Sequence, residues 1–202
     1  RNWVRGYNMP PNFDDSTWEH WGWDWGAPTG DALMAGPMGG TVVESFEAVK
    51  ANPGSVSTLS KGMSLGDTSV YSDAGWGFGY GHFMVVRYSS EQLPGSTKQA
   101  IAAKGFPGGV CFVMYAHLHE RLAEAGTELA PGQVFARCGN SGNSEATHLH
   151  LELRASKTPK AGSRIAIAPD ASAPAGDDCV HVEGREGDLF QLRADEALGP
   201  LL

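Results

Sequence analysis

The segment THLHLEL, Thr147 to Leu153, constrains the fold more than any other stretch. Its last six residues alternate histidine or glutamate with leucine. A β-strand sends successive side chains to opposite faces. His148, His150 and Glu152 therefore share one face, and Leu149, Leu151 and Leu153 share the other. The leucines can enter a core, which leaves two histidines facing a cleft or solvent.

The rest of the chain reads as mostly β. Among 202 residues there are 27 Gly and 12 Pro, which favours many turns between short strands. Strands are predicted at GTVVESF (40–46), YGHFMVVRYS (80–89), GVCFVMYAHL (109–118), within APGQVFARCGNSG, and at THLHLELRAS. HERLAEAGTEL (119–129) reads as a short turn or helix, and residues 1–19 as irregular. Polar, small-residue stretches at 47–75 and 90–109 read as surface insertions. The first has room for a short helical piece; the second has a short helix at STKQAIAAKG ended by Gly105. The predicted fold is a mostly β, antiparallel, sandwich-like core with a narrow groove and two long loop insertions. It forms one domain over 1–157, followed by an extended tail over 158–202.

The formal net charge of −8 argues against nucleic acid or an anionic membrane as partner. No run reaches the roughly 18 apolar residues of a membrane span. The chain opens at Arg1 with no signal-like apolar region, which suggests a mature product or an excised fragment. Cys111, Cys138 and Cys179 are too few for a four-cysteine zinc site; one disulfide or three buried thiols both fit.

Seven histidines occur, at 20, 82, 117, 119, 148, 150 and 181. If HWGWD is extended, His20, Gly22 and Asp24 line one face, and Trp21, Trp23 and Trp25 the other. Catalytic zinc sites use three protein ligands from His, Asp, Glu or Cys and leave a position for water. His20, Asp24 and one histidine of the His-x-His pair would supply such a set, and His117 ends another strand in MYAHL.

With these motifs in order, the sequence resembles the lysostaphin/LytM family of zinc endopeptidases, which cut peptide cross-links in bacterial peptidoglycan. The motifs are H-x-G-x-D with a Pro/Gly-rich turn and G-x-V (HWGWDWGAPTGDALMAGPMGGTVV), then YGHFMVVRY, YAHL, APGQVFARCGNSGNS and HLHLE. The match runs over about residues 18–155, without the insertions and the tail. The resemblance implies that His20, Asp24 and His150 bind one Zn²⁺ and that His117 and His148 are catalytic. Some relatives lose such residues and only activate other wall enzymes; this chain keeps all five. The resemblance also implies a peptidoglycan peptide as substrate and an extracytoplasmic or virion-associated setting, compatible with a larger envelope or phage assembly. It leaves the cross-link open.

Zinc lowers the pKa of bound water to about 7 and polarises a carbonyl. His117 and His148 can then hydrogen-bond the oxyanion or move the proton to the leaving amine. No H-E-x-x-H is present, so one of the two must be the base, and the residues do not say which. Glu152 reads either as a second acceptor behind a ligand or as a solvated strand residue. His119 reads as a surface residue, His82 as rim or structure, and His181 as uninvolved. GWGFGYG, with Trp76, Phe78 and Tyr80, reads as core or as a groove wall. CGNSGNSEAT reads as a tight turn or as a donor of backbone N–H groups to substrate. Two other classes compete: a catalytically silent wall-binding module of the same fold, and a cupin. A cupin would place its glutamate farther beyond the histidine pair and has no use for HWGWD.

Overall fold

A computed structural model of the chain describes residues 2–5, 23–103 and 107–156. His20, Gly105, Cys179, His181 and the tail predicted over 158–202 lie outside the described residues. Among the described residues, nine strands form one antiparallel sheet: β1 (Asn2–Arg5), β2 (Trp23–Gly26), β3 (Ala32–Met34), β4 (Gly40–Phe46), β5 (His82–Tyr88), β6 (Val110–Arg121), β7 (Glu128–Leu129), β8 (Val134–Cys138) and β9 (His148–Ser156). Their order is β1-β2-β9-β6-β5-β4-β7, with β8 paired to both β6 and β3. The mostly β, antiparallel expectation holds. Residues 2–5, expected to be irregular, instead form β1, whose backbone covers the otherwise open edge of β2.

Alternation assigns the faces. Leu149 and Leu151 of β9 join Tyr115, Val113 and Cys111 of β6 and Met84, Val86 and Tyr88 of β5 in the main core. Phe135, Ala136 and Cys138 of β8 and Leu33 of β3 close over them, with the Tyr115 and Phe135 rings 5.0 Å apart. This overlap is what makes one sheet sandwich-like. The opposite face carries Phe83, Val85, Phe112, Met114 and Ala116, and here the polar face of β9 emerges.

β6 does not end where the sequence suggests. Met84 pairs with Tyr115 and His82 with Leu118, so Ala116 and His117 together oppose Phe83 alone. His117 takes the left-handed φ of 57°. This β-bulge reverses the alternation. Leu118 returns to the main core, and the strand continues to Arg121 alongside β8. The turn or helix expected over 119–129 is thus strand as far as 121, and then a turn leading into the short β7.

Both predicted insertions carry structure of their own. The first holds 3₁₀ turns at Val49–Ala51, Leu59–Lys61 and Thr68–Ser72, followed by Ala74–Gly79. Ala48, Ala51, Val70 and Trp76 form a small separate core there. The second holds helix α1 (Gly95–Ala103). Leu93 and Ile101 enter the main core, so this segment is more than a surface loop.

Candidate active site

The site begins with the register of β2 on β9. Asp24 lies directly opposite His150, and Gly26 opposite His148. Opposed residues share a face, so Asp24 Oδ1 comes within 2.9 Å of His150 Nδ1 and 3.4 Å of His148 Nε2. β6 lies on the other side of β9, with Ala116 opposite His150. The bulge then brings His117 onto this face. Its ring centroid is 4.7 Å from that of His148 and 5.7 Å from that of His150. Four of the five sequence-predicted site residues are therefore gathered on one face; the fifth, His20, lies outside the described residues.

One loop sets the protons on two of these histidines. His117 Nδ1 is 2.8 Å from the Ser141 carbonyl, and His148 Nδ1 is 2.7 Å from the Ala146 carbonyl. A carbonyl only accepts, so each Nδ1 carries the proton and, in the neutral ring, each Nε2 does not. His117 is buried, and burial, followed by the neighbouring His148 and His150, holds its pKa well below the usual histidine value.

Glu152 is buried as well, at 1% exposure. Its Oε1 accepts from His150 Nε2 at 3.1 Å and from the Tyr80 hydroxyl. Of the two sequence readings, the acceptor behind His150 is therefore the observed one. Burial alone would depress His150, but the hydrogen bonds and charges of Asp24 and Glu152 outweigh it and raise its pKa to about 9. Tyr80 also packs its ring 5.5 Å from that of His150, a contact that the sequence signalled only as an aromatic, Gly-rich stretch.

The remaining candidates are structural. His82 is buried, accepts the Ala48 N–H on Nδ1 at 3.2 Å and donates its backbone N–H to Ser141 Oγ. His119 is exposed, past the bulge, and meets Ser55 Oγ at 3.1 Å. Trp76 is core. The backbone N–H groups of Gly142, Asn143 and Ser144 bond to Val56, Gly79 and Gly142 carbonyls, so they do not serve a substrate. Cys111 is a buried free thiol, pushed up to about 12 by burial, and Cys138 is buried.

The donors suit a zinc ion in kind. A proton lies between the Asp24 carboxylate and His150 Nδ1, and the same ring is held from behind by the Glu152 carboxylate. A cation can replace that proton while Glu152 keeps Nε2–H fixed. Asp24 and His150 are two of the three expected ligands. Among the described residues, no group of three or more His, Cys, Asp or Glu completes a metal cage.

Residues 84–162 match the family model described as Peptidase family M23. The matched segment contains His117, His148, His150 and Glu152 but not His20 or Asp24. No curated protein matches. The fold is similar to the catalytic domain of the antimicrobial peptidase lysostaphin from Staphylococcus simulans, at 17% identity and TM-score 0.46, over 76% of this chain and 80% of that one. It is also similar to the catalytic domain of the prophage-encoded M23 protein EnpA from Enterococcus faecalis, at 19% identity and TM-score 0.43, over 75% and 78%. A zinc-containing peptidase from Vibrio cholerae aligns at 18% identity and TM-score 0.45, over 86% of this chain and 37% of that one.

Proposed function

We propose that this chain, whose residues 84–162 match the model of peptidase family M23, is a zinc-dependent endopeptidase of bacterial peptidoglycan peptides. The observation that carries this reading is the convergence of Asp24 and His150 with two further histidines whose Nδ1 protons are both committed to one loop. Residues 1–157 act as the peptidase domain, and the substrate sets an extracytoplasmic or virion-associated place of action.

His20, Asp24 and His150 hold the ion, which when bound supplies an acidified water and a polarised scissile carbonyl. His117 and His148 each offer Nε2 to the reaction. A neutral Nε2 accepts the proton of the attacking water, and a protonated one donates to the oxyanion or to the departing amine. The Ser141 and Ala146 carbonyls keep the two rings from turning, so the correct atom faces the reacting group without reorganisation.

The test is digestion of purified Gram-negative and Gram-positive walls by the zinc-loaded chain, with mass spectrometry of the released muropeptides and metal analysis. Release of peptide-cleaved muropeptides that stops on chelation supports the proposal. A chain that binds zinc and wall but releases nothing from either wall type would instead be a silent wall-binding module.

A further inference from the structure

The first insertion and the loop before β9 are joined through one side chain, Asn143. Its Oδ1 accepts from Thr58 Oγ1 at 3.1 Å. Its Nδ2 donates to the Tyr71 hydroxyl at 2.7 Å and to the Leu65 carbonyl at 3.2 Å. All three partners lie in the insertion, so this amide has both donor hydrogens and its acceptor engaged there. The backbone adds to the joint. Asn143 N–H donates to the Gly79 carbonyl at 2.7 Å, Gly142 N–H to Val56 at 3.2 Å, and Thr58 N–H to the Gly142 carbonyl at 2.8 Å.

The same loop supplies the carbonyls that hold Nδ1–H of His117, from Ser141, and of His148, from Ala146. Asn143 stands between these two residues. We infer that Asn143 is a positioning residue: it clamps the loop to the insertion and thereby holds both histidines in the Nδ1–H tautomer that leaves Nε2 for the reaction. The insertion is then a buttress of the catalytic pair. This rests on the proposed roles of His117 and His148, and its test separates the two.

The full chain is labelled with ¹⁵N, and two-bond ¹H–¹⁵N spectra of the imidazoles are recorded with and without zinc. The wild type should show His117 and His148 as Nδ1–H tautomers. In Asn143→Ala those signatures should give way to exchange between tautomers. On wall substrate, kcat should fall on the order of ten- to a hundredfold with KM and zinc content unchanged. Tyr71→Phe, which removes one anchor and keeps the ring, should give a smaller change in the same direction and covers the case in which Asn143→Ala fails to fold. Val49→Ala, at an exposed position of the insertion, should change nothing. Loss of the tautomer signatures supports the inference even in a chain that cleaves no wall. Wild-type signatures in both Asn143→Ala and Tyr71→Phe overturn it whatever the activity.

Discussion

Glu152 accepts from His150 Nε2 at 3.1 Å, two residues along one strand and on one face. The spacing lets a single strand carry both the proposed metal-binding imidazole and the carboxylate that fixes it. Such outer carboxylates orient the ring and raise the basicity of the ligating nitrogen. Glu152→Ala should lower zinc affinity about 10- to 100-fold. Glu152→Gln should fall between it and the wild type, because an amide oxygen still accepts but carries no charge. Titration against a chelating indicator reads this directly, and equal affinities in all three proteins would show that Glu152 does not serve the ligand.

His117 stands at φ 57°, where a side chain is strained and a β-branched one most of all. The bulge is held by the His117 N–H bond to the Tyr80 carbonyl at 2.8 Å and by Leu118 in the core. Asn tolerates this conformation and Val does not. His117→Val should therefore be less stable than His117→Asn by about 1–2 kcal/mol in urea unfolding, while both lose wall cleavage and keep zinc. Equal stabilities would mean that the bulge relaxes without its histidine.

The alternating faces of β9 were legible because period-two patterning is local; the division of the histidines into ligand and catalytic roles comes from the family resemblance and not from periodicity. The bulge was less legible. Plain alternation would have turned His117 toward Val113 and Tyr115, in the main core. The only signal was the spacing of apolar residues in VMYAHL, where Leu118 follows Tyr115 by three positions instead of two. The register that puts Asp24 opposite His150 depends on strands 126 residues apart in sequence, and no local pattern sets it. The burial of Glu152 and the use of Asn143 were hidden for the same reason: partners distant in sequence decide them, Tyr80 for the first and the 47–75 insertion for the second.

Gly142 and Gly81 meet back to back. A Cβ on Gly142 would lie 2.3 Å from Gly81 N and 2.5 Å from Gly79 O, and its φ is +81°. Neither contact is the end of a flexible side chain, so relief requires moving the loop that holds His117 and His148. Gly142→Ala should cost roughly 2–4 kcal/mol from left-handed strain and overpacking together. It should also reduce kcat in whatever fraction remains folded. Chemical denaturation with parallel kinetics measures both, and a stability within about 0.5 kcal/mol of wild type would refute the close packing.

His82 supplies a pH dependence that lies away from the proposed metal ligands. Its Nδ1 must be unprotonated to accept the Ala48 N–H. Burial and then the Arg121 charge lower its pKa; the Ala51 backbone and Glu47 work against them, and His119 adds a further small push downward. A lowered value means that the folded chain binds fewer protons than the unfolded one. The stabilisation is therefore complete above the unfolded pKa of about 6.5 and declines as pH falls through that value toward the folded one. His82→Gln removes this titration. The stability gap between wild type and His82→Gln should be widest near neutral pH. It should narrow below about pH 6.5, by at most about 1.4 kcal/mol per pH unit. Urea unfolding at several pH values gives the gap, and a gap constant from neutral to acid would mean that His82 takes up its proton equally in both states.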